Sequence, residues 1–247
     1  MKQIGIAIIG CGMIAEFHAM AVAADGRAKV VAAAYGTNEG KGRAFAERFH
    51  IPKLVSDYHE LLDDPEITGV LICTPSSLHG QCAIDFSNRG VHILCEKPLD
   101  ISSSIMTEMI RAAEQNAVKL GCVFPNRVRL GLTRAKEVLD SGALGPMHIV
   151  ECQYRGYRSP LYFSTSKWKG TQQYDGGGCL MNQGIHAIDL MMYLAGDVRS
   201  TCAQVGTLGR DIEVEDTAAA LLDFANGAQG FLAGTTLSHL PEDAPEG

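Results

Sequence analysis

The chain has 247 residues, of which 46% are hydrophobic and 20% are charged. This length and composition suffice for one large domain or two ordinary ones, and they exclude an intrinsically disordered protein. The formal net charge of −7 argues against nucleic acid as the main partner, because nucleic-acid binding usually requires a basic face. No stretch approaches the run of about 18 apolar residues that a membrane span needs, and no signal-peptide pattern is seen. We therefore expect neither nucleic acid nor a membrane as a partner.

Eight cysteines are scattered along the chain without any C-x-x-C pair. Several lie in apolar runs, where a free thiol acts as a small hydrophobic group. This placement favours reduced thiols and a cytoplasmic location. It also makes a zinc site improbable, and we expect no metal site.

Short apolar runs alternate with helical patterns in the first half of the chain. The runs lack polar alternation, as expected for a parallel sheet covered on both faces, and they span residues 4–9, 30–34, 69–73, 91–95 and 119–124. Helical patterns lie between them, at residues 13–24, 41–49, 78–88 and 102–116. This order predicts an α/β domain with a doubly wound parallel sheet, which we place at residues 1–124.

The pattern changes after residue 124. A helix is predicted at residues 130–141, followed by strands at residues 148–154, 217–224 and 229–236. Asn226-Gly227 lies between the last two strands and is a strong hairpin signal. These features predict a second domain of helices and an antiparallel sheet at residues 125–247. Because few strands are available to that sheet and an edge would be exposed, we expect the chain to be incomplete at its C-terminus.

A glycine-rich turn, Gly10-Cys11-Gly12-Met13-Ile14-Ala15, directly follows the first predicted strand. In a dinucleotide-binding turn, the first Gly permits a tight bend and the second lets the backbone approach the pyrophosphate. The small third residue lets helix and strand pack closely, and the helix N-terminus faces the phosphates. We predict cofactor contacts at Gly10, Gly12, Met13 and Ile14, while glycines that serve only a plain turn are the alternative.

The end of the second predicted strand leaves the choice between NAD and NADP open. An acidic residue there would bind a free ribose 2′-hydroxyl, but no acid precedes Glu39. Lys41 and Arg43 follow and can meet a 2′-phosphate, although each alone is more simply explained as a solvated helix residue. We predict a cofactor contact at Thr37 and expect NAD or NADP.

Thr74-Pro75 follows the third predicted strand, and His79 comes four residues after Pro75. Because the carboxyl ends of strands line the cofactor crevice of a doubly wound sheet, we predict cofactor contacts at Thr74, Pro75 and His79. For His79, stabilising the start of the next helix is an equal alternative.

Glu96-Lys97-Pro98 ends another buried strand. A lysine in this position can extend its ammonium into the crevice and polarise an alcohol oxygen. The proline fixes the backbone after it, and an X-Pro bond can be cis. We predict cofactor contacts at Glu96 and Lys97 and a catalytic role for Lys97, the alternative being a surface lysine in a loop.

Asn182, His186 and Asp189 are spaced four and then three residues apart, so we predict that they share one helix face. In that arrangement Asp189 orients His186, whose imidazole transfers a proton. The preceding Gly176-Gly177-Gly178 suggests a close approach of backbone to ligand. A purely structural histidine is the alternative.

Together these segments resemble the glucose-fructose oxidoreductase / inositol dehydrogenase / rhizopine catabolism (Gfo/Idh/MocA) family. The resemblance covers essentially the whole chain and rests on these motifs: the Gly10 turn, Thr74-Pro75 with His79, Glu96-Lys97-Pro98, Asn126-Arg127, Gly142-x-Leu144-Gly145, Trp168-Lys169-Gly170 and the segment from Gly176 to Asp189. It implies a Rossmann domain followed by an α+β domain with an open, mostly antiparallel sheet that usually mediates a homodimer or homotetramer. Members are usually longer than this chain.

The resemblance also implies residue roles. Lys97 is similar to the family's catalytic lysine and His186 to its catalytic histidine, whereas Asn182 stands where many members carry Asp, which puts inositol dehydrogenase activity in doubt. Arg127 and Tyr157 are predicted substrate contacts, and Tyr157 is equally a candidate core or interface residue.

The predicted function is hydride transfer between NAD(P) and a secondary alcohol of a sugar, sugar acid or cyclitol. The alternatives are a cofactor-retaining glycoside-processing enzyme of the same family and a non-catalytic NAD(P)-binding protein or inactive fragment.

Overall fold

The computed structural model describes residues 3–165 and 168–238. The chain divides into two units, Met1–Val123 and Phe124–Gly247. The sequence analysis predicts that the chain is incomplete at its C-terminus. That prediction concerns residues 239–247, which lie outside the described residues. Every helix in the described ranges is too short or too polar to cross a membrane.

The first unit is a parallel sheet with helical connections. Its strands are β1 (Ile4–Ile9), β2 (Ala28–Ala34), β3 (Lys53–Val55), β4 (Gly69–Ile72), β5 (His92–Cys95) and β6 (Leu120–Cys122). Its α-helices are α1 (Met13–Asp25), α2 (Glu39–Arg48), α3 (His79–Ser87) and α4 (Ser103–Gln115). The strand order β3-β2-β1-β4-β5-β6, with parallel pairing throughout, is that of a Rossmann sheet and confirms the predicted fold class.

Side chains of β1 alternate between two hydrophobic clusters, one on each face of the sheet. Ala7 and Ile9 pack in the cluster that contains Phe86, whereas Ile8 packs with Phe45 in the other. Burial on both faces explains why these strands read as continuous apolar runs.

The second unit contains the helices α5 (Leu130–Asp140), α6 (Pro160–Ser164) and α7 (Ile185–Ala195). Its strands are β7 (Ile149–Arg155), β8 (Val198–Gly206), β9 (Thr217–Phe224) and β10 (Gln229–Thr235). The sheet order is β7-β10-β9-β8, with β7 parallel to β10 and the other pairs antiparallel. The predicted hairpin at Asn226-Gly227 is confirmed, and Gly227 has a φ of 90°, which favours glycine in such turns.

The sequence analysis missed two strands, β3 and β8. β3 has only three residues, too few for a periodic signal. Most of β8 is exposed along its length, so it lacks the alternation of apolar and polar residues that marks a half-buried strand. Both are recognised only through their hydrogen-bonded neighbours in the sheet.

The loop between β8 and β9 is organised by a buried carboxylate. Asp216 is 0% exposed, and its oxygens accept hydrogen bonds from the backbone N–H groups of Leu208, Gly209 and Arg210. The Thr217 hydroxyl donates a further bond. Burial raises the pKa of Asp216, but these hydrogen bonds outweigh burial and hold the pKa below its usual value.

We expect Asp216→Asn to lower the free energy of unfolding by about 2 to 3 kcal/mol at neutral pH, because charge-assisted hydrogen bonds are lost in a buried site. Since the folded-state pKa is depressed, the carboxylate contributes fully above its unfolded-state value of about 3.9. That contribution is lost as the pH falls through the folded-state pKa. Urea denaturation across this range measures the difference between the two proteins.

The matched control is Asp211→Asn, which changes an exposed aspartate of the same loop and should leave stability nearly unchanged. A stability difference for Asp216→Asn that grew on acidification would contradict the ionised-carboxylate interpretation.

Candidate active site

The glycine turn of the first unit places its two glycines in different surroundings. Gly10 has a φ of +96°, and a Cβ there would lie 2.6 Å from the carbonyl oxygen of Cys73. At Gly12, which caps the N-terminus of α1, a Cβ would meet nothing within 4 Å. Gly10 therefore serves the close packing of the chain on itself, while Gly12 leaves open space beside a helix N-terminus, which suits a pyrophosphate.

The next residues of the turn differ in exposure, and the cofactor contacts of Met13 and Ile14 stay predictions. Met13 and Ile14 are 78% and 41% exposed, so both are accessible to a ligand at the start of α1. Ala15 is fully buried and allows the close helix–strand packing expected of the third motif position.

The loop after β2 is held by its own side chains. The Asn38 side chain accepts a hydrogen bond from the Lys41 N–H at 3.0 Å and so caps α2. Arg43 donates to Glu39 on the exposed surface of the same helix, with 2.8 Å from Nε to Oε1. Thr37 is exposed, so its cofactor contact stays a prediction.

His79 joins the loops that follow β4 and β5. The residue is 1% exposed, its Nδ1 lies 2.8 Å from the carbonyl oxygen of Pro98, and its Nε2 lies 2.9 Å from that of Thr74. Burial lowers the pKa of His79, and these two carbonyl contacts oppose the change without reversing it. Because both ring nitrogens contact backbone, these bonds favour the stabilising alternative over a cofactor contact.

Thr74 offers a group that a bound cofactor can satisfy. Its hydroxyl is buried and, among the residues that the structure describes, has no hydrogen-bond partner. A buried hydroxyl without a partner is unfavourable unless a ligand or water completes it. Together with the open space at Gly12, it fits the expected dinucleotide.

Glu96 and Lys97 lie at the end of β5. One carboxylate oxygen of Glu96, which is 8% exposed, is 2.8 Å from Nε2 of His18, and the other accepts the Lys97 N–H at 3.2 Å. Burial raises the pKa of Glu96, but these bonds outweigh burial and hold the pKa below its ordinary value. Glu96 is therefore ionised at neutral pH, directly beside Lys97.

Two further observations concern this strand end. The Lys97–Pro98 peptide bond is cis, as the sequence allowed, and Lys97 is half-buried rather than fully exposed. His18, the partner of Glu96, was missed by the sequence analysis, because a lone histidine within a helical pattern carries no signal of its tertiary contact.

In the second unit, the single helix face predicted for Asn182, His186 and Asp189 is wrong. Asn182 lies in a π-helical turn, Cys179–Gln183, and α7 begins only at Ile185. The Asn182 amide donates to Oδ1 of Asp175 at 2.8 Å. Asp175 is 3% exposed and also accepts the Gly170 N–H at 2.9 Å, so it fixes the position of Asn182.

Two of the three glycines before this turn pack closely against protein. A Cβ at Gly178 would lie 1.7 Å from the carbonyl oxygen of Glu215, and one at Gly177 would lie 2.7 Å from the Met181 side chain. The Glu215 carboxylate accepts the N–H groups of Gly178 and Leu180 at 2.7 and 3.0 Å. Gly177 and Gly178 admit the segment that holds the π-helical turn, and the close approach of backbone to ligand stays a prediction.

Asp189 is bound to Arg127 by a bidentate ion pair. Nε and Nη2 of Arg127 lie 3.0 and 2.6 Å from Oδ1 of Asp189. Asp189 is 8% exposed. The Arg127 guanidinium also lies over the rings of Phe124 and Tyr193, at 5.9 and 5.1 Å from the centroids. This pair braces α7, so a direct contact of Arg127 with substrate stays a prediction.

His186 is half-buried in the first turn of α7. Its ring meets that of Phe124 edge-on, with centroids 6.0 Å apart and an interplanar angle of 81°. Tyr157 makes an isolated bridge to Leu237, and the guanidinium of Arg210 lies 5.4 Å from its ring centroid. These contacts give Tyr157 a structural place, while its contact with substrate stays a prediction.

Known protein families match both units. A family model described as an oxidoreductase family with an NAD-binding Rossmann fold matches residues 4–124, and one described as the GFO/IDH/MocA C-terminal domain matches residues 132–245.

Characterised relatives cover nearly all of this chain. It is 27% identical to levoglucosan dehydrogenase of Pseudarthrobacter phenanthrenivorans, over 97% of this chain and 69% of that protein. It is also 27% identical to myo-inositol 2-dehydrogenase of Thermotoga maritima, over 92% of this chain and 67% of that protein.

The fold is similar to a solved structure of the WlbA dehydrogenase of Bordetella pertussis in complex with NADH and UDP-GlcNAcA. The TM-score is 0.92 at 31% identity, covering 96% of this chain and 72% of that one. Family models on both units and relatives along nearly the whole chain lead to one conclusion: this chain belongs to the Gfo/Idh/MocA family of NAD-binding oxidoreductases.

Proposed function

We propose that this protein transfers a hydride between a nicotinamide cofactor and a secondary alcohol of a sugar, sugar acid or cyclitol. The observation that carries the proposal is Lys97, half-buried beside an ionised Glu96, in a chain that also carries His186 on a braced helix. A lysine and a histidine are the groups needed to handle the hydroxyl while its carbon is oxidised. The named sugar and cyclitol dehydrogenases among the relatives support this substrate class.

In the proposed reaction, the C–H bond of the carbinol carbon breaks as its hydrogen leaves as a hydride, and the C–O bond becomes a carbonyl. The nicotinamide, when bound, supplies the hydride acceptor. The imidazole of His186 takes the hydroxyl proton, and the Lys97 ammonium donates a hydrogen bond to the oxygen as negative charge develops there. Asn182, fixed by Asp175, holds the hydroxyl or the imidazole in position.

We further propose NAD rather than NADP as the cofactor. The 2′-phosphate of NADP needs a cation near the end of the second strand, and Arg43 in that region is paired with Glu39. The neighbour from Bordetella pertussis contains NADH, which supports the same choice.

Calorimetric titration with each nucleotide tests the cofactor. We expect saturable binding of NAD and weaker binding of NADP, and we expect Glu39→Gln to reduce this difference by releasing Arg43. Glu47→Gln, at an exposed position of the same helix, is the matched control. Tighter binding of NADP to the unaltered protein would contradict the assignment.

Replacing His186 tests the proton transfer. His186→Ala should lower kcat by roughly a hundredfold to ten-thousandfold, as expected when a general base is lost, with NAD affinity almost unchanged. Steady-state formation of NADH from a panel of sugars and calorimetry with NAD measure the two quantities. His148→Ala, at an exposed histidine of the same unit, should leave both as they were. Full turnover by His186→Ala would exclude His186 as the base.

Variants of the Arg127–Asp189 pair distinguish a positioning role of Arg127 from a direct contact of Arg127 with substrate. If the pair braces α7 and thereby His186, Arg127→Leu and Asp189→Asn should each lower kcat by roughly tenfold to a hundredfold. The double variant should then be little worse than either single one.

Measurement of kcat and KM for the three variants distinguishes the two roles. A higher sugar KM in Arg127→Leu alone, with Asp189→Asn unaffected, would instead identify Arg127 as a direct substrate contact. Arg134→Leu, at an exposed arginine of α5, is the control for loss of a cation.

A further inference from the structure

His18 binds a carboxylate that lies directly beside Lys97. It is in the second turn of α1, and its Nε2 is 2.8 Å from Oε1 of Glu96. The side chains of His18 and Glu96 are only 16% and 10% exposed. The other carboxylate oxygen of Glu96 accepts the Lys97 N–H at 3.2 Å. One carboxylate therefore joins a histidine of α1 to the backbone of the lysine that is proposed to contact the substrate oxygen.

The backbone of Glu96 is held separately from its side chain. Its N–H donates to the carbonyl oxygen of Ile72 at 3.0 Å, and this bond continues the parallel pairing of β4 with β5. The carboxylate, in contrast, has His18 as the partner of Oε1. Loss of the His18 side chain should therefore act on the carboxylate of Glu96 and on the Lys97 N–H, rather than on the sheet.

The ionisation of Glu96 depends on both neighbours. Burial raises the pKa of Glu96, whereas the hydrogen bond and charge of His18, and then the N–H and charge of Lys97, lower it. These contacts prevail and keep the carboxylate ionised at neutral pH. An ionised carboxylate in turn favours the charged form of a neighbouring amine. The three side chains therefore form one electrostatic unit.

Three other titratable groups interact with the charge of Glu96, on β5, at the end of β4 and at the start of α3. They are Cys95, Cys73 and His79. Burial raises the pKa of both thiols and lowers the pKa of His79, so all three groups are uncharged at neutral pH. The charge balance at Glu96 therefore rests on His18 and Lys97.

We propose that His18 is a positioning residue for Lys97 and acts through Glu96. His18 keeps the carboxylate oriented and ionised, so that one oxygen binds the Lys97 N–H and the negative charge favours the ammonium that donates to the substrate oxygen. Without His18, the buried carboxylate lacks a partner and takes up a proton more readily. Its hold on Lys97 is then weakened. This inference rests on the proposed function, because it adds a residue to the same reaction.

A purely structural role, in which His18 only fastens α1 to the end of β5, is the competing explanation. Both roles lower stability when His18 is replaced, so thermal unfolding does not separate them and serves only to verify that each variant is folded. The backbone amide of Lys97 and the pH profile of kcat do separate them, because only the proposed role reaches Lys97.

Nuclear magnetic resonance on the full chain tests the inference without turnover. Glu carboxyl carbons are labelled with 13C and Lys amides with 15N, and the signals of Glu96 and Lys97 are identified by their absence from Glu96→Gln and Lys97→Arg. In His18→Phe, we expect the Glu96 carboxyl to titrate at a higher pH than in the unaltered protein, because burial is no longer opposed by His18. The Lys97 amide signal should move along the same titration curve.

Two further variants make this result decisive. His18→Gln, whose side-chain N–H can donate to the same oxygen, should restore most of the difference, and His18→Ala should reproduce His18→Phe without introducing a larger ring. A Lys97 amide that stayed unchanged while Glu96 titrated, in both His18→Phe and His18→Ala, would overturn the inference.

Turnover gives the second test. With a sugar that the unaltered protein oxidises, His18→Phe should lower kcat by roughly tenfold to a hundredfold, with the sugar KM little changed. Its activity should also be lost at a higher pH on acidification. Adding His18→Phe to Glu96→Gln should cause little further loss, since both changes break one chain of contacts. Glu16→Gln, which breaks the pair of α1 with Arg48, is the matched control and should leave kcat and its pH profile unchanged.

The two measurements separate this inference from the proposed function. Coupled titration of Glu96 and Lys97 without NADH formation from any sugar would refute the dehydrogenase proposal and support the link from His18 to Lys97. Sugar oxidation with the same kcat and pH profile in His18→Phe as in the unaltered protein would support the dehydrogenase and refute the positioning role.

Discussion

The second unit depends on carboxylates that bind backbone N–H groups. Asp216 holds the loop between β8 and β9, Glu215 holds the segment entering the π-helical turn, and Asp175 holds Gly170 together with Asn182. Irregular backbone cannot satisfy its own donors when it is buried, so acceptors must come from side chains. A carboxylate, with two oxygens and a charge, can fix several donors at once. The segments held by Glu215 and Asp175 carry Asn182 and lead into His186, so in the proposed reaction their rigidity would preorganise both side chains.

The first unit uses hydrogen bonds of two histidine side chains to fix the ends of its strands. His79 ties the loop after β4 to the loop after β5, and His18 ties α1 to Glu96. Each contact joins two segments of this unit that are distant in sequence. A scaffold fixed in advance loses little conformational entropy when ligand binds, and affinity improves accordingly.

Much of the fold could be predicted because its signals are local. The β1 run, the Gly10 turn and the Asn226-Gly227 hairpin each depend on a few adjacent residues, and the structure contains all three. The contacts that fix the site are of another kind. His18 binds Glu96, 78 residues away, and Glu215 binds Gly178, 37 residues away, and neither separation leaves a periodic trace in a single sequence.

The helix around His186 shows how a correct motif can still give the wrong geometry. Spacings of four and three residues place side chains on one face only if the helix is continuous, and here a π-helical turn precedes α7. Such turns occur mostly as local irregularities and frequently at functional sites. The interruption also separates two roles, since Asn182 is fixed by Asp175 and Asp189 by Arg127.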